Sequence, residues 1–466
     1  MLSFFRLNDP YRLIFIFLIL LVIRLPYMFA DGHLTLPELD YMLVGEKLST
    51  SNTLYKGLWE NIAPLSAAVY MIIDYLFGRS QHAYYWLSLF VLFYQCALFN
   101  RMLLINKAYN ENTYVPGAVY GILMSFFFDF ITLTPVLMGL TFVLLALNNI
   151  FSHIEFRAKR DEKILNIGIY LGLASLFYLP FIIYGLGAVV IFMFFTGTVL
   201  RRYMLMFFGF LLPLMLAATY FLIDGRIYEF LYSFINPLIS FESKSYISGL
   251  VVVIIFSLPL LLLLGFLVRV SQRARFTNYQ SRLNQVMFVW MIFSGLFVVL
   301  SNKHAPNIYI VFIPALAFYI SHYLLLIKRR IFAEGLFLLL VVSMVLLNHG
   351  TRFDFFITGD QIKLDRYLVG EGIPELEGKK VLILDDNLKN YINCKPATPF
   401  LDWNMVKGLF ENIAYYDNQV TLYEGFRKDM PQVVVDPNGV MPKVFENIPI
   451  LAERYEQRNG MYFLVN

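Results

Sequence analysis

The chain has 466 residues, of which 59% are hydrophobic and 15% are charged, and its mean hydropathy is +0.63. A soluble domain has about 45–50% apolar residues, so this composition excludes an ordinary soluble protein and predicts an integral membrane protein. The formal net charge of +4 is small and gives no indication of nucleic-acid binding.

Apolar segments along the chain predict eleven transmembrane helices, because most are about as long as a helix that crosses a hydrocarbon core of roughly 30 Å. The predicted spans are 13–30, 83–106, 113–129, 133–151, 164–180, 182–199, 203–223, 247–269, 284–301, 307–327 and 331–348. The apolar segment 62–78 is interpreted as a helix lying on the membrane surface, since Pro64 begins it and Asp74 interrupts it.

Basic residues favour one orientation of these spans. With the N-terminus inside, most arginines and lysines next to a span fall on the cytoplasmic side, where the positive-inside rule expects them. The opposite loops hold only Lys47, Lys56, Arg79, Arg226, Lys244 and Lys303. We therefore expect a multi-pass protein of the inner (cytoplasmic) membrane with a cytoplasmic N-terminus and an uncleaved first segment.

The composition changes near residue 350. Charged residues become frequent, and short apolar strands at 381–384, 433–435 and 461–465 alternate with helical stretches around 404–414 and 442–457. This alternation predicts a small α/β domain over residues 350–466. The predicted orientation places that domain in the periplasm, and residues 1–349 form the transmembrane domain.

The polar loop 31–64, between the first span and the surface helix, carries the candidate active site. Glu38 and Asp40 stand one residue apart in it, and carboxylates next to a membrane indicate a functional site. Either carboxylate is a candidate general base. The alternative is that both are solvated loop acids.

The order of residues in and around this loop resembles the GT-C superfamily of glycosyltransferases, which includes mannosyltransferases dependent on dolichyl-phosphate-mannose and aminoarabinose transferases. The residues that carry the resemblance are Arg24-Leu25-Pro26, the acids, Tyr41, Gly45, Tyr55, Trp59-Glu60-Asn61 and Pro64. Further along the chain, residues 302–309 followed by Pro314 resemble the late outer loop of the superfamily.

The resemblance implies an α-helical multi-pass fold and a transferase that moves a sugar from a polyprenyl-phosphate carrier to a glycan, lipid or protein acceptor on the extracytoplasmic face. It implies Glu38 or Asp40 as the catalytic base and Lys303 as the cation that holds the departing phosphate. The other residues expected to contact substrate are His304, Tyr309, Arg226, Lys244, Tyr55, Glu60 and Asn61. His304 has three alternatives, which are a phosphate contact, a metal ligand and a loop cap.

No cofactor is expected from the sequence, and a divalent cation near the acids is left open because no ligand cluster indicates one. The expected partners are the lipid-linked sugar, its acceptor and membrane lipids, with a membrane-protein partner left open and no nucleic acid.

Two departures from the superfamily pattern keep a second class open. Pro37 stands where the superfamily usually has its catalytic Asp, and Ala63 replaces one of two paired prolines. A scaffold of the same fold that binds a lipid or a partner membrane protein without catalysis is therefore the alternative. A transporter would need charged residues at mid-membrane depth, whereas Asp129, Asp224 and Glu334 lie near predicted helix ends.

Overall fold

A computed structural model describes residues 1–29, 34–50, 53–156, 161–197, 199–239, 244–273, 276–352, 367–370, 372–397 and 399–465. Residues 31–33, 51 and 52 of the predicted site loop lie outside the described residues, as does the segment 353–366 that follows the predicted domain boundary. The chain divides into two compact units. The first comprises Met1–Gly32, His82–Ala217 and Ser240–Leu364, and the second comprises His33–Gln81, Ala218–Ile239 and Asp365–Asn466.

Helices dominate the described chain. In chain order they are α1 (Leu2–Arg6), α2 (Arg12–Phe29), α3 (Leu36–Ser49), α4 (Pro64–Phe77), α5 (Gln81–Ile105), α6 (Val115–Leu123), α7 (Pro135–Phe156), α8 (Asp161–Phe177), α9 (Ile183–Phe195), α10 (Leu200–Ile223), α11 (Ile227–Ile239), α12 (Gly249–Arg273), α13 (Asn278–Leu300), α14 (Ile313–Leu326), α15 (Arg330–Arg352), α16 (Trp403–Glu411), α17 (Tyr416–Lys428), α18 (Met441–Asn447) and α19 (Pro449–Ala452). Short 3-10 helices cover Phe128–Ile131, Leu179–Ile182, Pro306–Phe312, Pro374–Leu376 and Leu388–Tyr391.

Among the described residues, eight helical segments are long and apolar enough to cross a membrane. They correspond to α2, α5, α7, α10, α12, α13, α14 and α15. Two shorter apolar helical segments, Pro64–Phe77 and Leu179–Phe195, account for the surface helix and one further predicted span. The prediction of an α-helical multi-pass membrane protein is confirmed. The membrane-surface position of α4 and the orientation of the termini stay predictions.

The helix predicted over 113–129 is wrong in its second half. α6 ends at Leu123, and a 3-10 helix follows at Phe128–Ile131. Side chains from two other helices satisfy the non-helical backbone, because Asn348 Nδ2 donates to the Ser125 carbonyl and Ser88 Oγ donates to the Ile131 carbonyl, both at 2.5 Å. Lipid offers no such partners, so this break depends on burial within the protein.

The second unit contains a five-stranded sheet in the order β4-β3-β5-β7-β6. Its strands are β3 (Lys380–Ile383), β4 (Lys395–Pro396), β5 (Val433–Val435), β6 (Tyr455–Arg458) and β7 (Met461–Leu464), whereas β1 (Lys244–Ser245) and β2 (Lys303–His304) pair separately in the first unit. β4, β3 and β5 run parallel, and β7 is antiparallel to both β5 and β6. The small α/β domain predicted from the C-terminal sequence is therefore present as a mixed sheet with helices.

The three predicted strands form as β3, β5 and β7, but the helix predicted over 442–457 is wrong at its end. α19 stops at Ala452, and Tyr455–Arg458 pairs with β7 instead. The turn between them places Asn459 at φ 51° and Gly460 at φ 75°. An Asn-Gly pair with positive φ at both residues is the preferred two-residue hairpin turn, so the turn chemistry favours strands here over a helix.

Candidate functional site

The two candidate acids lie at the start of a helix, and the loop predicted around them is wrong at this point. Thr35 caps α3, because its Oγ1 accepts a hydrogen bond from the Glu38 amide at 3.3 Å, while Glu38 Oε2 accepts one from the Thr35 amide at 2.9 Å. This reciprocal pair is a capping box. The Glu38 side chain therefore has a structural task at the helix N-terminus.

Burial of both carboxylates is incompatible with the alternative of two solvated loop acids. Glu38 is 2% exposed and Asp40 is 8% exposed. A buried carboxylate is costly unless it is bonded, and the cap supplies part of the bonding of Glu38. Asp40 lies outside the cap, and its role as the catalytic base stays a prediction.

Close packing against α4 fixes the helix that carries these acids. The ring of Tyr41 stacks on that of Tyr70, with centroids 4.9 Å apart and planes 10° apart. A Cβ atom at Gly45 would lie 2.7 Å from the Tyr70 carbonyl oxygen, which is too close for any residue with a side chain. Tyr41 and Gly45, two residues of the sequence motif, are thus both used at the α3–α4 contact.

Ion pairs secure the C-terminal end of α3 within the second unit. Lys47 Nζ lies 3.2 Å from Asp429 Oδ2, and both side chains are nearly buried. Glu46 pairs with Arg79 at 3.1 Å, and the Arg79 guanidinium also donates to three backbone carbonyls near the end of the Leu388–Tyr391 helix. The acid-bearing helix is therefore anchored at both ends.

Tyr55, Arg226 and Glu60, three predicted substrate contacts, come together in the second unit. Tyr55 has a left-handed backbone with φ 71°, is 2% exposed and donates from its hydroxyl to the Ile62 carbonyl at 2.7 Å. Burial raises the pKa of Tyr55 well above its ordinary value, and the nearby Glu60 carboxylate adds to that rise. Arg226 ion-pairs with Asp224 and donates to the Leu54 carbonyl at 2.6 Å.

These observed contacts are internal, and they hold the segment 53–62 in place. Asn61 Nδ2 approaches Asp402 Oδ2 at 3.4 Å, and the Trp59 amide donates to the Pro399 carbonyl at 2.9 Å. Contact between these residues and a substrate stays a prediction.

In the first unit, the structure brings together two of the predicted phosphate-binding lysines. β1 and β2 pair in parallel, and the register sets Lys244 opposite Lys303 and Ser245 opposite His304. The backbone register thus sets two of the predicted phosphate ligands side by side, and their contact with a phosphate stays a prediction. Burial lowers the pKa of His304, which favours its neutral imidazole.

Asp129, which the sequence places near a predicted helix end, is a buried acid of the first unit. It is fully buried in the 3-10 helix Phe128–Ile131, and its Oδ2 accepts a hydrogen bond from the Asn307 amide at 2.7 Å. Asn307 lies in the 3-10 helix Pro306–Phe312, which follows the strand of Lys303 and contains the half-buried Tyr309. The signal was available, because an acid inside an apolar run is rarely there for packing.

Arg24, which the sequence resemblance singled out, is a buried cation that connects helices in the first unit. It is 1% exposed, and its Nη1 donates to Ser88 Oγ at 2.5 Å and to the Tyr85 carbonyl at 3.1 Å. Ser88 in turn donates to the Ile131 carbonyl, two residues after Asp129. Arg24 thus helps to hold the non-helical segment that carries the buried acid.

Within the described ranges, no group of three or more histidine, cysteine or acidic residues is placed to hold a metal ion. Whether a divalent cation takes part stays open.

Comparison with solved structures finds a similar fold, and the matches include ArnT and an archaeal oligosaccharyltransferase. ArnT from Cupriavidus metallidurans bound to undecaprenyl phosphate aligns over 97% of this chain and 98% of its own, with a TM-score of 0.55 and 14% identity. The apo state of ArnT aligns over 71% of this chain and 62% of its own, with a TM-score of 0.52 and 18% identity. An Archaeoglobus fulgidus oligosaccharyltransferase tethered to an acceptor peptide aligns over 98% and 74%, with a TM-score of 0.50 and 11% identity.

No protein-family model and no curated protein sequence matches the chain. Both structural neighbours are GT-C glycosyltransferases, so the fold resemblance inferred from the loop motif is confirmed. At these identities the likeness establishes the fold.

Proposed function

We propose that the chain is a membrane glycosyltransferase that takes a sugar from a polyprenyl-phosphate carrier and moves it to an acceptor on the extracytoplasmic face. The observation that carries the proposal is the alignment over nearly the whole length of both chains with ArnT bound to undecaprenyl phosphate. A buried Asp40 on a closely packed helix and the backbone pairing of Lys244 with Lys303 agree with it.

In the proposed reaction Asp40 is the general base. Its carboxylate takes the proton of the acceptor hydroxyl, and the acceptor oxygen attacks the anomeric carbon of the sugar. Glu38 is bonded into the helix cap and serves as a positioning residue, because it fixes the first turn of α3 two residues before Asp40.

Lys303 and Lys244 are the proposed phosphate ligands. As the bond between the anomeric carbon and the phosphate oxygen breaks, its electron pair leaves with the phosphate, and the two ammonium groups stabilise that charge. His304, on the same strand as Lys303, is proposed as a neutral hydrogen-bond donor to the phosphate. Tyr309 is proposed as an aromatic contact beside it, while Tyr55, Arg226, Glu60 and Asn61 shape the segment 53–62 that the substrate contacts.

A scaffold that binds a lipid or a partner membrane protein is the second candidate, and one observation favours it. Pro37 replaces the usual catalytic Asp, and the adjacent acid Glu38 is engaged in the helix cap. If Asp40 does not act as the base, neither of the two acids proposed for that role remains for the reaction.

The test compares cells that lack the chain with cells that express it or its Asp40→Asn variant. Mass spectrometry of extracted glycolipids and glycans is expected to show one added sugar residue with the native chain and none with D40N. Asp417→Asn, an exposed acid on α17, is the matched control and should transfer normally. Native transfer by D40N in equal amounts of protein would refute the catalytic role and leave the scaffold.

A further inference from the structure

α11 is a short helix with two apolar faces. Three residues separate it from the end of α10, and they include a sharp turn at Gly225 with φ 69°. Its inner face is buried, because Phe230 is 2% exposed and Phe234 is 7% exposed. The Phe230 ring stacks on Phe221 of α10 with centroids 4.6 Å apart.

The outer face of α11 is apolar as well, yet it is open. Tyr228 is 84% exposed, Tyr232 is 60% exposed, and Leu231 and Ile235 are 41% and 39% exposed. These positions have the spacing i, i+3, i+4 and i+7, so they form one stripe along the helix. A continuous apolar stripe of this kind on a soluble surface marks a site of interaction.

The occupant of this stripe is indicated by what precedes it. α10 is a candidate membrane span, and only 22% of its most apolar stretch is buried within the protein, as expected of a helix that faces lipid. Its last turns remain open, with Tyr220 at 61% and Ile223 at 84% exposure. The stripe therefore continues a lipid-facing surface at the point where the chain leaves the membrane, and its two tyrosines suit the interfacial layer.

We propose that the stripe Tyr228, Leu231, Tyr232 and Ile235 lies in the surface of the bilayer at the end of α10, with lipids as its partner. The opposite, inner face of α11 and the residue before it contact the segment 53–62. The Phe230 ring lies 5.8 Å from that of Tyr55, and Arg226, directly before α11, donates to the Leu54 carbonyl. The bilayer surface thereby sets the position of a segment that includes three of the candidate substrate contacts.

The test uses the full-length chain with Tyr228→Cys or Tyr232→Cys, each labelled with an environment-sensitive fluorophore. The native Cys96 and Cys394 are buried, and the unsubstituted chain measures their background labelling. The labelled protein is reconstituted into phosphatidylcholine vesicles with or without a lipid that carries a nitroxide near its headgroup, and iodide serves as the aqueous quencher. Tyr416→Cys on α17, 76% exposed among polar residues, is the matched control.

Lipid nitroxide is expected to reduce the fluorescence at both stripe positions by about half, because an interfacial helix sinks roughly 5–10 Å into the headgroup and acyl boundary. The label at 416 should respond to iodide alone. Quenching at 228 and 232 by iodide alone would place the stripe in water. Protection from both quenchers would mean that a second copy or another protein covers it, and either result overturns the proposal. If either tyrosine variant fails to reconstitute, Leu231→Cys on the same stripe is labelled in its place.

Discussion

Asp40 and Glu38 show how neighbouring residues of one type receive different tasks from their surroundings. Glu38 occupies the third position of the helix, where a carboxylate meets the free amide of the capping residue and the positive end of the helix dipole. Asp40 lies one half-turn later, past the reach of the cap. Their spacing in the sequence does not distinguish the roles of these two acids. The residue at which the helix begins does, because it decides which acid can reach the cap.

Removing the cap tests this division of tasks. Thr35→Ala deletes the hydroxyl that accepts a hydrogen bond from the Glu38 amide. We expect this substitution to lower the free energy of unfolding by about 1 kcal/mol. The measurement is denaturant or thermal unfolding in detergent. Thr421→Ala, whose hydroxyl only bonds back to a carbonyl within α17, should be neutral or slightly stabilising. Equal losses in the two variants would contradict the capping role.

The two lysines paired in the register of β1 and β2 lead to a second prediction at this scale. Replacing Lys244 and Lys303 together by Gln is expected to weaken binding of undecaprenyl phosphate at least about tenfold, since a charge-assisted hydrogen bond contributes about 1.5–3 kcal/mol. A direct binding titration in detergent measures it. Lys56→Gln, an exposed lysine on the same predicted side of the membrane, should leave the affinity unchanged. Native affinity in the double variant would remove the pair from the site.

At the scale of elements, local sequence rules identify the start of α3 but not the end of α6. Thr35-Leu36-Pro37-Glu38 is the pattern of a capping box with proline in the first turn, so a helix there was predictable from local rules. The residues after Leu123 are nearly all apolar and continue a helical pattern. Their break depends on Ser88 and Asn348, which lie far away in sequence, so no local rule finds it.

The contact between α3 and α4 supplies a test of how tightly the acid-bearing helix is held. Gly45→Ala would force its Cβ to within 2.7 Å of the Tyr70 carbonyl oxygen, and this backbone cannot move aside as a side chain would. We expect a loss of about 1–3 kcal/mol, as for overpacking in a core, together with reduced transfer because α3 shifts. Thermal unfolding and the transfer assay measure the two effects.

Gly408→Ala is the matched control for that variant. A Cβ at this position of α16 meets nothing within 4 Å, so the change should stabilise the helix by up to about 1 kcal/mol. A Gly45→Ala chain that is as stable and active as the native one would show that α3 and α4 are not closely packed.

At the scale of the whole molecule, long-range pairing accounts for what the sequence could not show. The change of composition near residue 350 indicated a separate C-terminal domain, and its strands were found from local patterns. The second compact unit nevertheless takes in His33–Gln81 and Ala218–Ile239 as well. Likewise the pairing of Lys244 with Lys303 joins residues 59 positions apart in the sequence, and no local pattern around either lysine indicates it.

The link between α3 and the C-terminal segment gives the last prediction. Asp429 accepts from Lys47 at 3.2 Å and from Lys380 at 2.7 Å, and Lys47 is only 8% exposed at its side chain. Asp429→Asn keeps the shape but leaves the Lys47 ammonium buried without its counter-charge. The expected loss of stability is about 3 kcal/mol, because removing one partner of a buried pair strands the other.

The measurement is the free energy of unfolding of the full chain in detergent, and Asp429→Asn is compared with two other variants. Glu411→Gln breaks the pair with Lys407, in which both side chains are 51% exposed, and should cost less than about 1 kcal/mol because water screens it. Adding Lys47→Met to Asp429→Asn removes the stranded ammonium and should recover much of the loss, since an apolar side chain of similar length then fills the buried position. If Asp429→Asn costs no more than Glu411→Gln, the ion pair does not secure α3. The hydrogen bonds of Arg79 and the packing against α4 would then have to hold the acid-bearing helix without it.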